Sequence, residues 1–286
     1  MEIKGSRIFI SGAASGIGRA TAMKMASAGG RLFLTDINQD GLMETCRMIE
    51  GSGGEVCMSK AFDIANYHAV LSFAREIHTL SGPLDILVNV AGIALFSQVE
   101  DMDHADWEKV IGVNLWGVIH GIECFVPEMI RARSGGHIVT VSSTAGLIGL
   151  PWHAVYAGTK HALVGISEVL RYDLKKHGIG VSVICPGAVK TGMVQSVDVH
   201  ADPEATDMLR THFLKIAIPP ERVADLIIDA VRTRKFLVIT SFDITCLYFF
   251  KRHLFPVYHG IMRLMTRVMD RVLLKKRVVG SDGSER

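Results

Sequence analysis

Residues 7–18 read RIFISGAASGIG: an apolar strand pattern, Arg7 to Ile10, breaks into a glycine-rich turn and runs on as the helical pattern RATAMKMASAGG, closed by Gly29 and Gly30. In that order, strand, glycine turn and helix make a phosphate site. Gly12, Gly16 and Gly18 let the backbone approach a pyrophosphate closely, and the helix start presents unpaired N–H groups and a partial positive charge. Turns of this kind also serve plain strand-to-helix packing, so the surrounding residues decide the reading.

The next strand pattern, Arg31 to Thr35, ends in Asp36, eighteen residues beyond Gly18. A carboxylate there can accept hydrogen bonds from an adenosine ribose and repels a 2′-phosphate, which favours NAD over NADP. Arg19, a positive charge in the same turn, keeps NADP open, and a solvated strand-end aspartate is the plainer reading of Asp36. Strand and helix patterns then alternate. Helices are expected near 39–51, near 66–80, across 103–132, through Tyr156 and near 220–233. Strands are expected from Val56 to Ala61, Leu84 to Val88, His137 to Val141, Gly180 to Ile184 and Phe236 to Thr240. This alternation specifies a doubly wound α/β (Rossmann) fold, a parallel sheet of about seven strands with helices on both faces. No linker or internal repeat interrupts residues 1–240, so they are read as one domain, followed by a C-terminal helical extension, 241–286.

Of 286 residues, 49% are hydrophobic and 21% charged, a globular composition. A formal net charge of +2 gives no reason to expect a nucleic-acid partner. Cys46, Cys57, Cys124, Cys185 and Cys246 are scattered and never in Cys-x-x-Cys spacing, so neither a disulfide framework nor a zinc site is indicated. A reducing, cytoplasmic compartment is expected. The twelve histidines show no metal-ligand spacing; each is read as a surface or satisfied structural group, and no metal is expected. The first strand pattern begins within a few residues of Met1, which argues against a secretory signal.

The chemistry gathers in residues 141–160, VSSTAGLIGLPWHAVYAGTK. Tyr156 and Lys160, four residues apart at the start of an apolar helical run, project from one face a turn apart. Such a pair alone is more often a solvated helix face. Acid/base work by a tyrosine near neutrality needs its pKa of about 10 lowered by roughly 3 units, or about 4 kcal/mol of phenolate stabilisation, and a nearby ammonium supplies part of that. Ser143, just past a strand pattern, is placed to hold a substrate oxygen against the phenol. The group reads as proton transfer to an oxygen.

Together these motifs resemble the short-chain dehydrogenase/reductase family over about residues 5–240. SGAASGIG is similar to that family's T-G-x-x-x-G-x-G cofactor turn, with Ser11 for the usual threonine and the hydroxyl kept. Asp63 is similar to its adenine-side aspartate. Asn89-Val90-Ala91-Gly92 resembles its N-N-A-G segment with valine at the second place, which weakens any role for a polar side chain there. Asn114 in GVNLWG, Ser143, Tyr156 and Lys160 match the family's catalytic set, and Pro186-Gly187 with Thr191 its cofactor loop. The resemblance implies a nicotinamide cofactor held by Ser11, Gly12, Ser15, Gly16, Ile17, Gly18, Asp36, Asp63, Ile64, Asn89, Ala91, Gly92, Pro186, Gly187, Val189 and Thr191, with contacts from Tyr156 and Lys160. It implies Tyr156 as acid/base, Ser143 positioning the substrate oxygen, Lys160 lowering the phenol pKa and holding the nicotinamide ribose, and Asn114 supporting a water-mediated proton path from Lys160. Hydride then passes between the cofactor and a carbinol or carbonyl carbon. A homodimer or homotetramer built through helices flanking the sheet is also implied.

The resemblance makes residues 188–218 the substrate loop, where Met193, Val194, Val197, Met208, Leu209, Phe213 and Leu214 are apolar. With Ile93, Leu95, Phe96, Leu147, Leu150 and Trp152 expected near the pocket, a lipophilic, lipid- or steroid-like alcohol or ketone is expected; core or subunit contacts would use the same residues equally well. Residues 241–286 go beyond the resemblance and carry nine Lys/Arg against four Asp/Glu. Within them, Leu247-Tyr248-Phe249-Phe250 and Leu254-Phe255-Pro256-Val257-Tyr258 are too often interrupted by charge to span a bilayer. Ile261, Met265, Val268 and Val272 fall on one helical face and Arg263, Arg267 and Arg271 on another, giving an amphipathic basic helix. It is expected to lie on a membrane surface through 241–280, or else to pack on its own body or a partner subunit.

The leading reading is an NAD(H)-dependent alcohol dehydrogenase or ketone reductase acting on a small-molecule secondary alcohol. One alternative is an NADP(H)-dependent 3-oxoacyl-thioester reductase, which Asp36 disfavours. Another is a non-catalytic nucleotide-sensing or membrane- or partner-binding protein, which the complete Asn114, Ser143, Tyr156 and Lys160 set disfavours.

Overall fold

Continuous apolar runs become strands buried on both faces, as parallel strands covered by helices must be: β1 (Arg7–Ser11), β2 (Arg31–Asp36) and, later, β4 (Ile86–Asn89). The computed structural model describes residues 1–192, 198–199 and 203–273. The other strands are β3 (Glu55–Ala61), β5 (Leu95–Phe96), β6 (Gly136–Val141), β7 (Ile179–Cys185), β8 (Asp198–Val199) and β9 (Leu237–Ile239). Seven of them form one parallel sheet in the order β3-β2-β1-β4-β6-β7-β9, with Ile8 paired to Leu32 on one side and to Ile86 on the other. Chain order reverses between β1 and β4. At such a switch point a crevice opens beyond the carboxyl ends of the strands. β4 begins at Ile86 rather than Leu84 because Asp85 turns its carboxylate onto the Arg7 guanidinium, 2.8 Å away.

The helices are α1 (Gly16–Ser27), α2 (Gln39–Gly51), α3 (Tyr67–Ser81), α4 (His104–Ile111), α5 (Gly117–Ala132), α6 (Ala154–Asp173), α7 (Pro203–Ile216), α8 (Pro220–Thr233), α9 (Phe242–His253) and α10 (Phe255–Leu273). The Asn38 and Asn66 side chains start α2 and α3 by accepting the N–H groups of Gly41 and Ala69, and Asp103 with Asp106 forms a reciprocal capping box on α4. One sheet face buries Ile8, Ile10 and Leu34 with Met25 of α1 and Ile227 and Val231 of α8. The other buries Phe9 and Phe33 with Phe73 of α3 and Phe125 of α5, the rings of Phe9 and Phe125 centred 4.8 Å apart. The run 104–132 is long and apolar enough to cross a bilayer, yet half of its most apolar stretch is buried inside the protein.

α9 and α10 pack on the sheet edge beyond β7, where Tyr258 and Met262 are buried with Leu147, Ile148, Val183 and Cys185, and Met265 lies beside them. The inner face is therefore rotated from the expected Ile261, Met265, Val268 and Val272 line. Apolar residues occupy two sides of α10, and the side bearing Tyr258 wins because its hydroxyl meets a backbone donor, Gly149 N–H, at 3.1 Å. Residues 274–286 and the Val272 side chain lie outside the described residues, as do Met193, Val194 and Val197 and the side chains of Met208 and Leu209.

Candidate active site

In the glycine turn Gly12 and Gly16 take left-handed φ angles of 73° and 51°. Gly18 is glycine for another reason: a Cβ there would lie 1.8 Å from the Gly12 carbonyl oxygen. Ser15, at the start of α1, makes no side-chain capping bond, so the first-turn N–H groups are left for an anion. A cleft of about 610 Å³ opens over this turn. Its walls include Gly12, Ser15, Gly16, Ile17, Gly18, Asp36, Asp63, Ile64, Ala91, Gly92, Pro186, Gly187, Val189 and Thr191, together with Ser143, Tyr156 and Lys160. A glycine cradle, the Asp36 carboxylate at a strand end and room for a large ligand fit a dinucleotide.

Ser11, Asn89 and Asn114 stand behind that wall. The Ser11 hydroxyl accepts the N–H groups of Val90 (3.1 Å) and Ala91 (3.3 Å) and so ties the loop after β4 to the glycine turn. Asn89 is buried against Gly121, where a Cβ would come within 2.7 Å of its Oδ1. Asn114 sits in a π-helical turn, Gly112–Trp116, between α4 and α5; its amide donates to the Ile93 carbonyl (2.9 Å) and accepts the Ile93 N–H (2.8 Å).

Asp36 is held by two backbone donors, Ala14 N–H and Asn38 N–H, each at 2.9 Å. Arg19 turns its Nε and Nη2 donors into the protein, to Thr45 Oγ1 (3.0 Å) and to the carbonyls of Ala14 (2.6 Å) and Gly41 (3.2 Å).

At the other end of the cleft, β6 delivers Ser143 and α6 delivers Tyr156 and Lys160. The Ser142 hydroxyl donates to the Lys160 carbonyl (2.8 Å) and pins α6 to the strand end. The Ser143 hydroxyl accepts the Ala145 N–H (3.1 Å) and lines the cleft together with Tyr156. Lys160 is buried; its Nζ donates to the Val141 carbonyl (3.1 Å) and lies 5.7 Å from the centre of the Tyr156 ring. Burial pushes the Lys160 ammonium down to about 8 and the Tyr156 phenol up from its ordinary value, with the Ser143 hydroxyl opposing the rise. The cost of burying a phenolate is the largest of the causes acting on Tyr156.

Ile93, Phe96, Leu150 and Phe213 add apolar lining to the cleft. Phe213 of α7 meets Phe96 edge-on at 5.9 Å, which lays α7 over the chamber. Leu95, Leu147 and Trp152, expected beside them, face elsewhere: Leu95 packs with Val110 and Val155, Leu147 with the tail, and the Trp152 indole donates to Asp270 at 3.3 Å. His153 escaped the sequence reading as one structural histidine among twelve. It lines the chamber with its ring 6.1 Å from that of Tyr156, and burial lowers its pKa to about 4. Its Nδ1 lies 2.6 Å from the Pro151 carbonyl, an acceptor, so Nδ1 carries the proton and Nε2 is the acceptor. Its place three residues before Tyr156 was the available signal.

The tail also belongs to this site. Besides Tyr258 on Gly149 and Asp270 on Trp152, the Lys251 ammonium donates to the Leu147 carbonyl at 2.7 Å. These three bonds brace the loop between Ser143 and α6, in which Trp152 holds a left-handed φ of 65°, a strained conformation for a bulky side chain.

The family model for short chain dehydrogenases matches residues 6–202, and the chain belongs to the short-chain dehydrogenase/reductase family of oxidoreductases. It is 34% identical over 246 residues to SadH of Mycobacterium tuberculosis, a provisionally assigned oxidoreductase, covering 85% of this chain and 88% of that one. Among solved structures, a short-chain dehydrogenase/reductase of Burkholderia phymatum in complex with NAD superposes with a TM-score of 0.82 at 30% identity, over 90% of this chain and 96% of that one. A short-chain dehydrogenase of Mycobacterium paratuberculosis bound to NAD gives 0.74 at 25% identity, over 84% and 97% of the two chains.

Proposed function

We propose that this chain is an NAD(H)-dependent oxidoreductase interconverting a lipophilic secondary alcohol and its ketone, with Tyr156 as the acid/base. One observation carries the reading: Ser143, Tyr156 and Lys160 line the same cleft as the glycine cradle and the apolar chamber. The cofactor, when bound, supplies the hydride acceptor or donor. The chain's own residues handle position and proton. Ser143, its hydroxyl oriented by Ala145 N–H, holds the substrate oxygen. Tyr156 takes the carbinol proton in oxidation and returns it in reduction. Lys160 has ammonium donors beyond its bond to Val141 for a ribose hydroxyl, and Asn114 fixes the Ile93 backbone beside Gly92, where a Cβ would crowd Lys160 Nζ at 3.3 Å.

Asp36 and the internal engagement of Arg19 favour NAD. A carboxylate about 5 Å from a 2′-phosphate costs ~3 kcal/mol per unit charge at an effective dielectric of about 20, a ceiling in an open cleft. Titration with NADH and NADPH tests cofactor choice, and a panel of apolar secondary alcohols followed by NADH absorbance tests the substrate class. NADH should bind more tightly, and Asp36→Ala should narrow the gap. Equal or tighter NADPH binding by the unmodified protein would reject the assignment.

A further inference from the structure

We propose that the outer face of α10 docks on anionic lipid surfaces. The inner face is committed to the protein body through Tyr258, Met262 and Met265. Two strips remain. Val257, Leu264 and Val268 recur at helical spacing and are 47%, 62% and 51% exposed. Arg263, Arg267 and Arg271, all exposed, recur a turn apart along the neighbouring side of the same helix. An apolar strip flanked by guanidinium groups suits a helix lying in the interface plane: the aliphatic side chains enter the acyl boundary while the guanidiniums meet phosphates. Leu254, at the corner before the helix, is a further exposed apolar side chain, 46% exposed.

Charge selects the occupant. The one acidic residue in the sequence of α10, Asp270, accepts the Trp152 indole N–H and so faces the body, while the chain continues with Lys275, Lys276 and Arg277. Among the described residues of α10, the exposed face carries three arginines and no carboxylate. A second copy fits it poorly, since pairing two antiparallel α10 strips about a two-fold axis would set both arginine rows on the same side. Anionic headgroups neutralise that row instead. α7, the helix over the substrate chamber, packs against α10, so docking brings that helix close to the lipid.

Flotation of the full-length protein with phosphatidylcholine vesicles, with and without phosphatidylglycerol, tests the proposal. Co-flotation is expected with the anionic vesicles alone and should weaken as salt rises. The Arg263→Glu/Arg267→Glu/Arg271→Glu variant should lose at least about ten-fold in bound protein, and Leu264→Ser/Val268→Ser should lose several-fold. These side chains point away from the body, so the melting temperature and NADH affinity of both variants should match the unmodified protein. Absence of flotation on anionic vesicles, or undiminished flotation of the triple variant, would overturn the proposal. A triple variant of altered oligomer size, with intact protein that never floats, would make the face a subunit contact.

Discussion

Gly18→Ala puts a methyl group where the structure has none to spare. Its Cβ would lie 1.8 Å from the Gly12 carbonyl oxygen and 2.5 Å from the Gly12 carbonyl carbon. A carbon–oxygen contact settles at about 3.3 Å, so the turn must open by roughly 1.5 Å. It has little freedom to do so, because Ala13 N–H donates to the Thr35 carbonyl (3.1 Å) and Ala91 backbone crowds the outer side of Gly12. Overpacking of this kind costs about 1–3 kcal/mol, and the displaced N–H groups no longer converge on a phosphate. Losing one charge-assisted hydrogen bond of about 1.5–3 kcal/mol weakens NADH binding by roughly ten-fold to a hundred-fold. Gly51→Ala is the control, since it lies at the exposed end of α2 with nothing within 4 Å of its Cβ. Thermal melting and NADH titration by fluorescence quenching read both effects. Gly18→Ala with wild-type NADH affinity would refute the cradle, whereas Gly51→Ala should leave affinity unchanged.

Tyr258→Phe removes the acceptor of Gly149 N–H; stability should fall by about 1 kcal/mol and substrate KM should rise, with NADH affinity unchanged. An unchanged KM would detach the tail from the substrate wall. The phenol raised by burial sets the sign of the pH dependence. Alcohol oxidation needs the phenolate and should keep rising above neutral pH, whereas ketone reduction needs the phenol and should fall on the alkaline side. Initial rates in both directions check this, and oxidation that is flat from neutrality upward would contradict it.

The glycine turn, Asp36 and the Tyr156–Lys160 pair were legible because each is a local pattern: apolar runs that stop at glycine, and two side chains a turn apart. What depended on distant partners was not. The β5–β8 pair joins Leu95 to Asp198 across a hundred residues, and two-residue strands leave no periodicity. The π turn at Asn114 shifts helical phase by one residue within five, below what a helical pattern reveals. The facing of α10 was ambiguous because the helix is apolar on two sides, and a hydroxyl on Tyr258 decides between them. Ser11 and Asn89 looked like direct contacts because motifs mark positions, whereas their side chains turn behind the wall. Burial also pushes the Tyr156 phenol upward, an effect that spacing, which places the ammonium, says nothing of.

The sharpest single measurement is turnover of Tyr156→Phe on a secondary alcohol that the unmodified enzyme oxidises, followed by NADH absorbance alongside NADH titration. The phenylalanine ring keeps the packing against the cleft and removes the one group assigned to move the proton. Turnover should fall by about 10²–10⁴-fold while NADH affinity stays close to that of the unmodified protein. Near-wild-type kcat with intact cofactor binding would show that Tyr156 is not the acid/base.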